Sequence, residues 1–326
     1  MKTTTLTRRH LLQASPLALL PPQTMGQAWP NRPLRFVVPA APGAGILDII
    51  GRLLAQHLAP RLGQQVVVEN KPGAANNVGA EFVARAPADG YTLLMCNSSL
   101  AVADHLYARL GYRPMSDLLP VTQVNSAPLI LVVHPSVPVS SVAELIAYAR
   151  ENPGKLNYGS AGIGSTPFLA TELFKSMTGT DLVHVPYRGG ALALADLTAG
   201  QISLMIENVP GSVPLVRDGR LKALAITSRH RSPLVPDLPT MDEAGVAGYE
   251  MIGWNGVFVA SGTPSRIVDK LHDALVGIIA TPELKAQLAQ LGAEPVGSAP
   301  AEFAAFIRSE HERWGKIIRE RGIKPE

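Results

Sequence analysis

Cysteine is almost missing from these 326 residues. Cys96 stands alone, so neither an intrachain disulfide nor a cysteine-ligated zinc can form, and stability has to come from apolar cores. A charge surplus is missing as well: three of the 29 basic residues (Lys2, Arg8, Arg9) and no acid lie in the first 28 positions, which leaves 26 basic against 26 acidic residues beyond them. With that balance, and no basic stripe interleaved with aromatics, the electrostatic footprint of a nucleic-acid binder is absent. Past residue 28 no apolar run reaches the length of a membrane span, which points to a soluble product. Hydrolase and metal signals are lacking too. Tyr158 precedes Gly159-Ser160-Ala161-Gly162, so there is no Gly-x-Ser-x-Gly, and the histidines are scattered without ligand spacing. No metal, no cofactor and no catalytic residue is expected, and His134, His184 and Cys96 read as packed or capped groups.

What is present begins with an address. Thr7-Arg8-Arg9-His10-Leu11-Leu12, a short apolar stretch and Gly26-Gln27-Ala28 resemble a twin-arginine export signal, or a Sec signal containing an Arg pair, with the mature chain starting at Trp29. About 300 mature residues, at a hydrophobic content of 46% for the whole chain, are enough for two cores rather than one.

Short β-branched runs alternate with amphipathic helical runs, the pattern of an α/β protein with parallel sheets covered by helices. Strands are expected at 34–38, 65–69, 92–96, 129–133, 156–159, 182–185, 202–206, 221–227 and 256–260. A helix over 46–62 places Leu47, Ile50, Leu54, Leu58 and Leu62 on one stripe. Helices are also expected over 168–177, 265–279, 282–291 and 300–321. Turn-rich segments at 112–128 and 229–239 suggest two crossovers between two lobes, 29–124 plus 229–326 and 125–228, with a ligand cleft between them.

Loops after the strands carry the chemistry. Leu34 to Val38 leads into Pro39 to Leu47 and then Asp48 at a helix start. Unpaired N–H groups, the positive end of a helix dipole, and Gly43 and Gly45 make such a turn a site for an anion. Gly159 to Thr166 repeats that logic with hydroxyls from Ser160, Ser165 and Thr166. Asn97-Ser98-Ser99, Tyr187-Arg188-Gly189-Gly190 and Glu207-Asn208 also follow strands, and ligands of open α/β sheets bind at the carboxyl ends of strands. Asp48 reads either as a helix-start acid or as a group meeting the ligand. Arg188 reads as a carboxylate partner or a solvated turn residue, and Trp254 as a cleft or a core residue. An NAD(P)-dependent oxidoreductase is the alternative, from Gly43-Ala44-Gly45 after a strand and Glu69 ending the next. Against it, Asp48 occupies the place of the third glycine and would repel a pyrophosphate.

The ordered runs Arg32 to Pro39, Val66 to Ala74, Ala88 to Leu94, Val183 to Gly190 and Leu291 to Pro295 resemble the Bug-type substrate-binding proteins of tripartite tricarboxylate transporters. The resemblance implies a monomeric, periplasmic, two-lobed protein that closes on a small organic acid and delivers it to a membrane permease. It also implies a cleft lined by Gly43, Ala44, Gly45, Ile46, Leu47, Asp48, Asn97, Ser98, Ser99, Ser160, Gly162, Ile163, Gly164, Ser165, Thr166, Phe168, Tyr187, Arg188, Gly189, Glu207 and Asn208. In that pattern the first loop is one residue longer than usual. Leu47 stands where threonine is common, Phe168 where histidine is, and Glu207 where aspartate is. A pocket made more apolar by Phe168 and Ile163 would suit an aromatic or branched acid, and the long first loop with Leu47 is where specificity is expected to be written.

Overall fold

A computed structural model describes residues 29 to 43 and 45 to 323. The export-signal segment and Ala44 lie outside the described residues. The strands are β1 (Leu34–Val38), β2 (Val66–Asn70), β3 (Thr92–Asn97), β4 (Leu118–Val133), β5 (Asn157–Ser160), β6 (Val183–Pro186), β7 (Leu204–Asn208), β8 (Lys222–Ile226), β9 (Ile252–Ala260) and β10 (Glu294–Pro295). The helices are α1 (Gly45–Leu62), α2 (Asn77–Ala84), α3 (Ala103–Leu106), α4 (Pro114–Asp117), α5 (Val142–Glu151), α6 (Thr166–Thr178), α7 (Gly190–Thr198), α8 (Val209–Arg217), α9 (Ser265–Ile279), α10 (Pro282–Gln290) and α11 (Pro300–Arg321). Among the described residues no helix is long and apolar enough to cross a membrane.

Strand order is β2-β1-β3-β9-β4-β7-β5-β6, with β8 and β10 also pairing β4. Alternation along each strand feeds a core on either face. In β1, Leu34, Phe36 and Val38 pack with α1 and α9, while Val37 faces the cluster around Trp254 and Phe303. The α1 stripe forms as its spacing requires, and Leu47, Ile50, Leu54, Leu58 and Leu62 are all buried in that first core. In the last part of β4, Leu129, Leu131 and Val133 face one core of the second lobe and Ile130 and Val132 the other. The fold is a two-lobed α/β architecture.

Two expectations are corrected. The sheet is mixed rather than parallel: β1 pairs β2 and β3 in parallel, and β5 pairs β6 and β7 in parallel, but β9 runs antiparallel to both β3 and β4. The segment 112–128, expected as a break, is from Leu118 onward the first part of β4, one 16-residue strand that pairs β9 and then β7 and β8. Its prolines hid it. Pro120 cannot donate to the ladder, and the register shifts between Pro120 and Thr122, so the irregularity absorbs the missing donor. A further tie joins the lobes. Helix α11 sends Phe303 and Ile307 into the Trp254 cluster and Trp314 and Ile318 into the core that holds β5 and α6.

Candidate functional site

Because β1 and β3 are parallel neighbours, their outgoing loops share one edge of the first lobe. The loops after β5, β6 and β7 share one edge of the second.

Gly43 and Gly45 are exposed, with φ of +71° and +74°, backbone that a side chain would strain. Just behind them Asp48 has no accessible surface. Its Oδ2 accepts from the Gly43 N–H at 2.7 Å and from Arg52 Nε at 2.8 Å, and its Oδ1 accepts from Asn70 Nδ2 at 2.7 Å. Asn70 also donates to the Ala40 carbonyl and accepts from Arg52. Burial alone would raise the Asp48 pKa, but the bonds from Arg52, Asn70 and Gly43 outweigh it and hold the carboxyl below its ordinary value. Asp48 therefore fastens the loop, with both oxygens occupied. Leu47, expected to carry specificity, is turned into the first core, and Ile46 is half-buried.

After β3, Asn97 caps the following 3-10 turn, its Oδ1 accepting from the Ser99 N–H at 3.1 Å. Asn76 Nδ2 reaches across to Asn97 Oδ1 and Ser99 Oγ, both at 2.9 Å, and Ser98 Oγ accepts from the Trp254 N–H. Trp254 fills the core, edge-on to Phe303 and Phe306.

In the second lobe Ser160 Oγ lies 2.6 Å from His184 Nε2 and accepts from the Gly162 N–H. Ser165 donates to the Gly162 carbonyl, while Gly164 and Thr166 are buried and Ile163 is partly so. Burial brings the His184 pKa down to about 4, so its ring is neutral at pH 7. That ring stacks on Tyr158 and touches Phe168 at 4.9 Å between centroids. Phe168 is therefore a core residue of this lobe.

Tyr187 donates its hydroxyl to Asp196, and Arg188 is exposed at the turn. Glu207 is buried; its Oε1 accepts from the backbone and side-chain N–H of Asn208, and its Oε2 has no partner. Gly189 precedes α7, and a Cβ added at Gly190 would stand 2.8 Å from Glu207 Oε2. Burial raises the Glu207 pKa against the two Asn208 bonds.

The edges of the two lobes meet where Tyr107 donates its hydroxyl to the Ile163 carbonyl at 2.9 Å and Thr166 approaches Gly253. Sequence reasoning passed over Asn70, Asn76 and Tyr107. The run Lys71-Pro72-Gly73-Ala74-Ala75-Asn76-Asn77 after β2 held the signal, since Ala74, Ala75 and Asn76 all take positive φ. It also passed over Asn125 and Asn255, which are buried and bonded to each other in neighbouring strands, with Asn255 in register with Asn97. Polar residues inside strands are the signal there. Histidines that look scattered in sequence do meet: His105 and His311 stack at 4.2 Å beside Asp104, and each presents a ring nitrogen to a backbone carbonyl. Cys96 is buried, its thiol pushed up to about 12 by desolvation, so it is no nucleophile.

The site is thus rich in N–H groups and hydroxyls at strand ends, with its acids tied down or buried. A family model described as the tripartite tricarboxylate transporter family receptor matches residues 50–323. Among solved structures, R. palustris Rpa4515 with adipate is 40% identical, covers 91% of this chain and 100% of its own, and superposes with a TM-score of 0.86. The periplasmic binding protein BugD is 35% identical over 91% of this chain and 100% of its own, at a TM-score of 0.84. MatC (Rpa3494) from Rhodopseudomonas palustris with bound malate is 33% identical over 89% of this chain and 99% of its own, at 0.82.

Proposed function

The chain belongs to the tripartite tricarboxylate transporter receptor family, and from that premise we propose that it is an exported solute-binding protein for small dicarboxylates. The observation that carries this reading is the convergence of the loops after β1 and β3 in one lobe and after β5, β6 and β7 in the other. A single helix-terminus contact contributes about 0.3 to 1 kcal/mol, or about 2 when partly buried. Micromolar capture needs about 8 kcal/mol. Several donors from both lobes, closed around the ligand so that water leaves, are required to reach it. Adipate in Rpa4515 and malate in MatC support the carboxylate class.

Capture is a hinge closure of the two lobes about the segments that join them, in which no bond is made or broken. The protein acts as a monomer in the periplasm, reached through the leader at residues 1–28, and hands the closed complex to a membrane permease. BugD, a periplasmic binding protein, supports the location.

Calorimetric titration of protein purified under denaturing conditions and refolded free of ligand, with adipate, malate and citrate, tests the reading. Saturable one-to-one binding of a dicarboxylate is expected. Heat from NADH instead of any of the acids would replace this reading by the oxidoreductase one.

A further inference from the structure

Three carboxylates are buried among the described residues, Asp48, Glu207 and Glu310. Asp48 is fully bonded, and Glu310 takes Arg313 and the Trp314 indole N–H. Glu207 alone keeps an oxygen in the protein interior with no partner. A buried polar atom without a partner costs about 1 to 3 kcal/mol, so its retention calls for a reason.

Its surroundings supply one. Oε2 lies against Gly190, the first residue of the nine-residue helix α7, where an added Cβ would stand 2.8 Å from it. No side chain caps that helix end, and its leading N–H groups have no partner within the helix. An ionised carboxylate beside these donors would take them, yet Oε2 takes none. No cation stands in for them. Arg188, in the loop before α7, is exposed and makes no ion pair with Glu207, while His184 on β6 is held by Ser160 and Asp196 on α7 by Tyr187. Strand β4, which pairs Ile130 with Glu207, contains no ionisable side chain, and in α8 the only one is Arg217, at its far end.

We propose that Glu207 binds the ligand as a neutral acid: its Oε2–H donates to one carboxylate oxygen of a dicarboxylate that the N-terminus of α7 also holds, so that each ligand is captured together with one proton. This rests on the solute-binding reading above. Two carboxylates meeting in a desolvated site cannot both stay ionised, and sharing one proton turns their repulsion into a short, charge-assisted hydrogen bond. Burial, which disfavours the charged form of Glu207, prepares the empty protein for this. The step balances. Below the pKa of the empty site the proton is already in place, and above it one proton enters from solvent with each ligand.

The test is calorimetric titration of adipate and malate from about pH 6 to about pH 9, where both acids are dianions, in two buffers of different ionisation enthalpy. Affinity is expected to fall as pH rises, approaching tenfold per pH unit, with proton uptake climbing towards one per ligand. Glu207→Gln, whose amide still donates, is expected to lose the pH slope and the proton uptake. Binding of unchanged affinity and without proton uptake up to the alkaline limit of the folded protein overturns the proposal, and so does proton release on binding. If neither acid binds at any pH, the solute-binding reading falls and this proposal with it. Should Glu207→Gln fail to fold, the buffer dependence of the parent protein decides alone.

Discussion

Replacing Asp48 by alanine separates fastening the first loop from touching the ligand. The carboxylate receives three hydrogen bonds, at 2.7, 2.8 and 2.7 Å, and its side chain is 1% exposed. Truncation strands the Gly43 N–H and Asn70 Nδ2 as donors. Arg52, with 48% of its side chain exposed, rehydrates and is counted at nothing. Hydrogen bonds to a charged group contribute about 1.5 to 3 kcal/mol each, and shielding here comes from a surface loop rather than a deep core, so a loss of about 2 to 4 kcal/mol is expected. By calorimetric melting at pH 7 that is a fall in Tm of about 3 to 6 °C. The carboxyl sits below its ordinary value in the folded state, so its stabilisation is complete above the unfolded value near about 4 and is lost as pH falls through the folded one. Melting curves of parent and variant are therefore expected to converge in acid. Asp48→Asn, which turns an amide donor towards a donor, is expected to lose about 1 to 3 kcal/mol. A variant melting within about 1 °C of the parent while losing more than about tenfold in adipate affinity would refute the reasoning and place Asp48 on the ligand.

Three more outcomes follow from buried groups. In the ligand-free protein, burial favours neutral Glu207, a contribution present below its unfolded pKa and lost as pH rises through the folded one; Glu207→Gln is expected to gain in Tm relative to the parent as pH rises. His184 has the opposite sense, because the unfolded chain protonates near 6.5 while the folded ring waits until about 4. Stability present above about pH 6.5 is expected to drop by about 2 kcal/mol on acidification, discounted for partial exposure, and His184→Gln should flatten that limb in pH-dependent denaturant unfolding. Gly256→Ala would set a Cβ 2.2 Å from the buried Phe303 ring and 3.1 Å from the Thr122 carbonyl, so α11 must shift off β9; a loss of about 1 to 3 kcal/mol is expected in urea unfolding.

The sequence by itself determined the elements whose signals are local. The Val-rich run 34–38, the leucine stripe of α1, and the starts of α9 and α11 at Ser265 and Pro300 came out at or within a residue of the observed bounds. The placing of polar loops after strands was legible for the same reason. Hydrophobic period and turn chemistry act within a few residues and need no partner to be read. Pairings across long separations were not legible. The prolines of β4 masked a strand that β9 and β10, more than a hundred residues later, hold in place, and the antiparallel direction of β9 follows from where the chain returns. Asp48 and Leu47 are neighbours in a loop that reads as ligand-facing, yet packing turned one into a hydrogen-bond hub with Asn70 and the other into the core. For Glu207 the letters allowed a cleft acid and nothing finer. Only the folded chain, by bringing Gly190 and the free end of α7 against it, decided that a carboxyl would be buried there with one oxygen unbonded, because burial and hydrogen-bond satisfaction are properties of three-dimensional neighbours and not of sequence order.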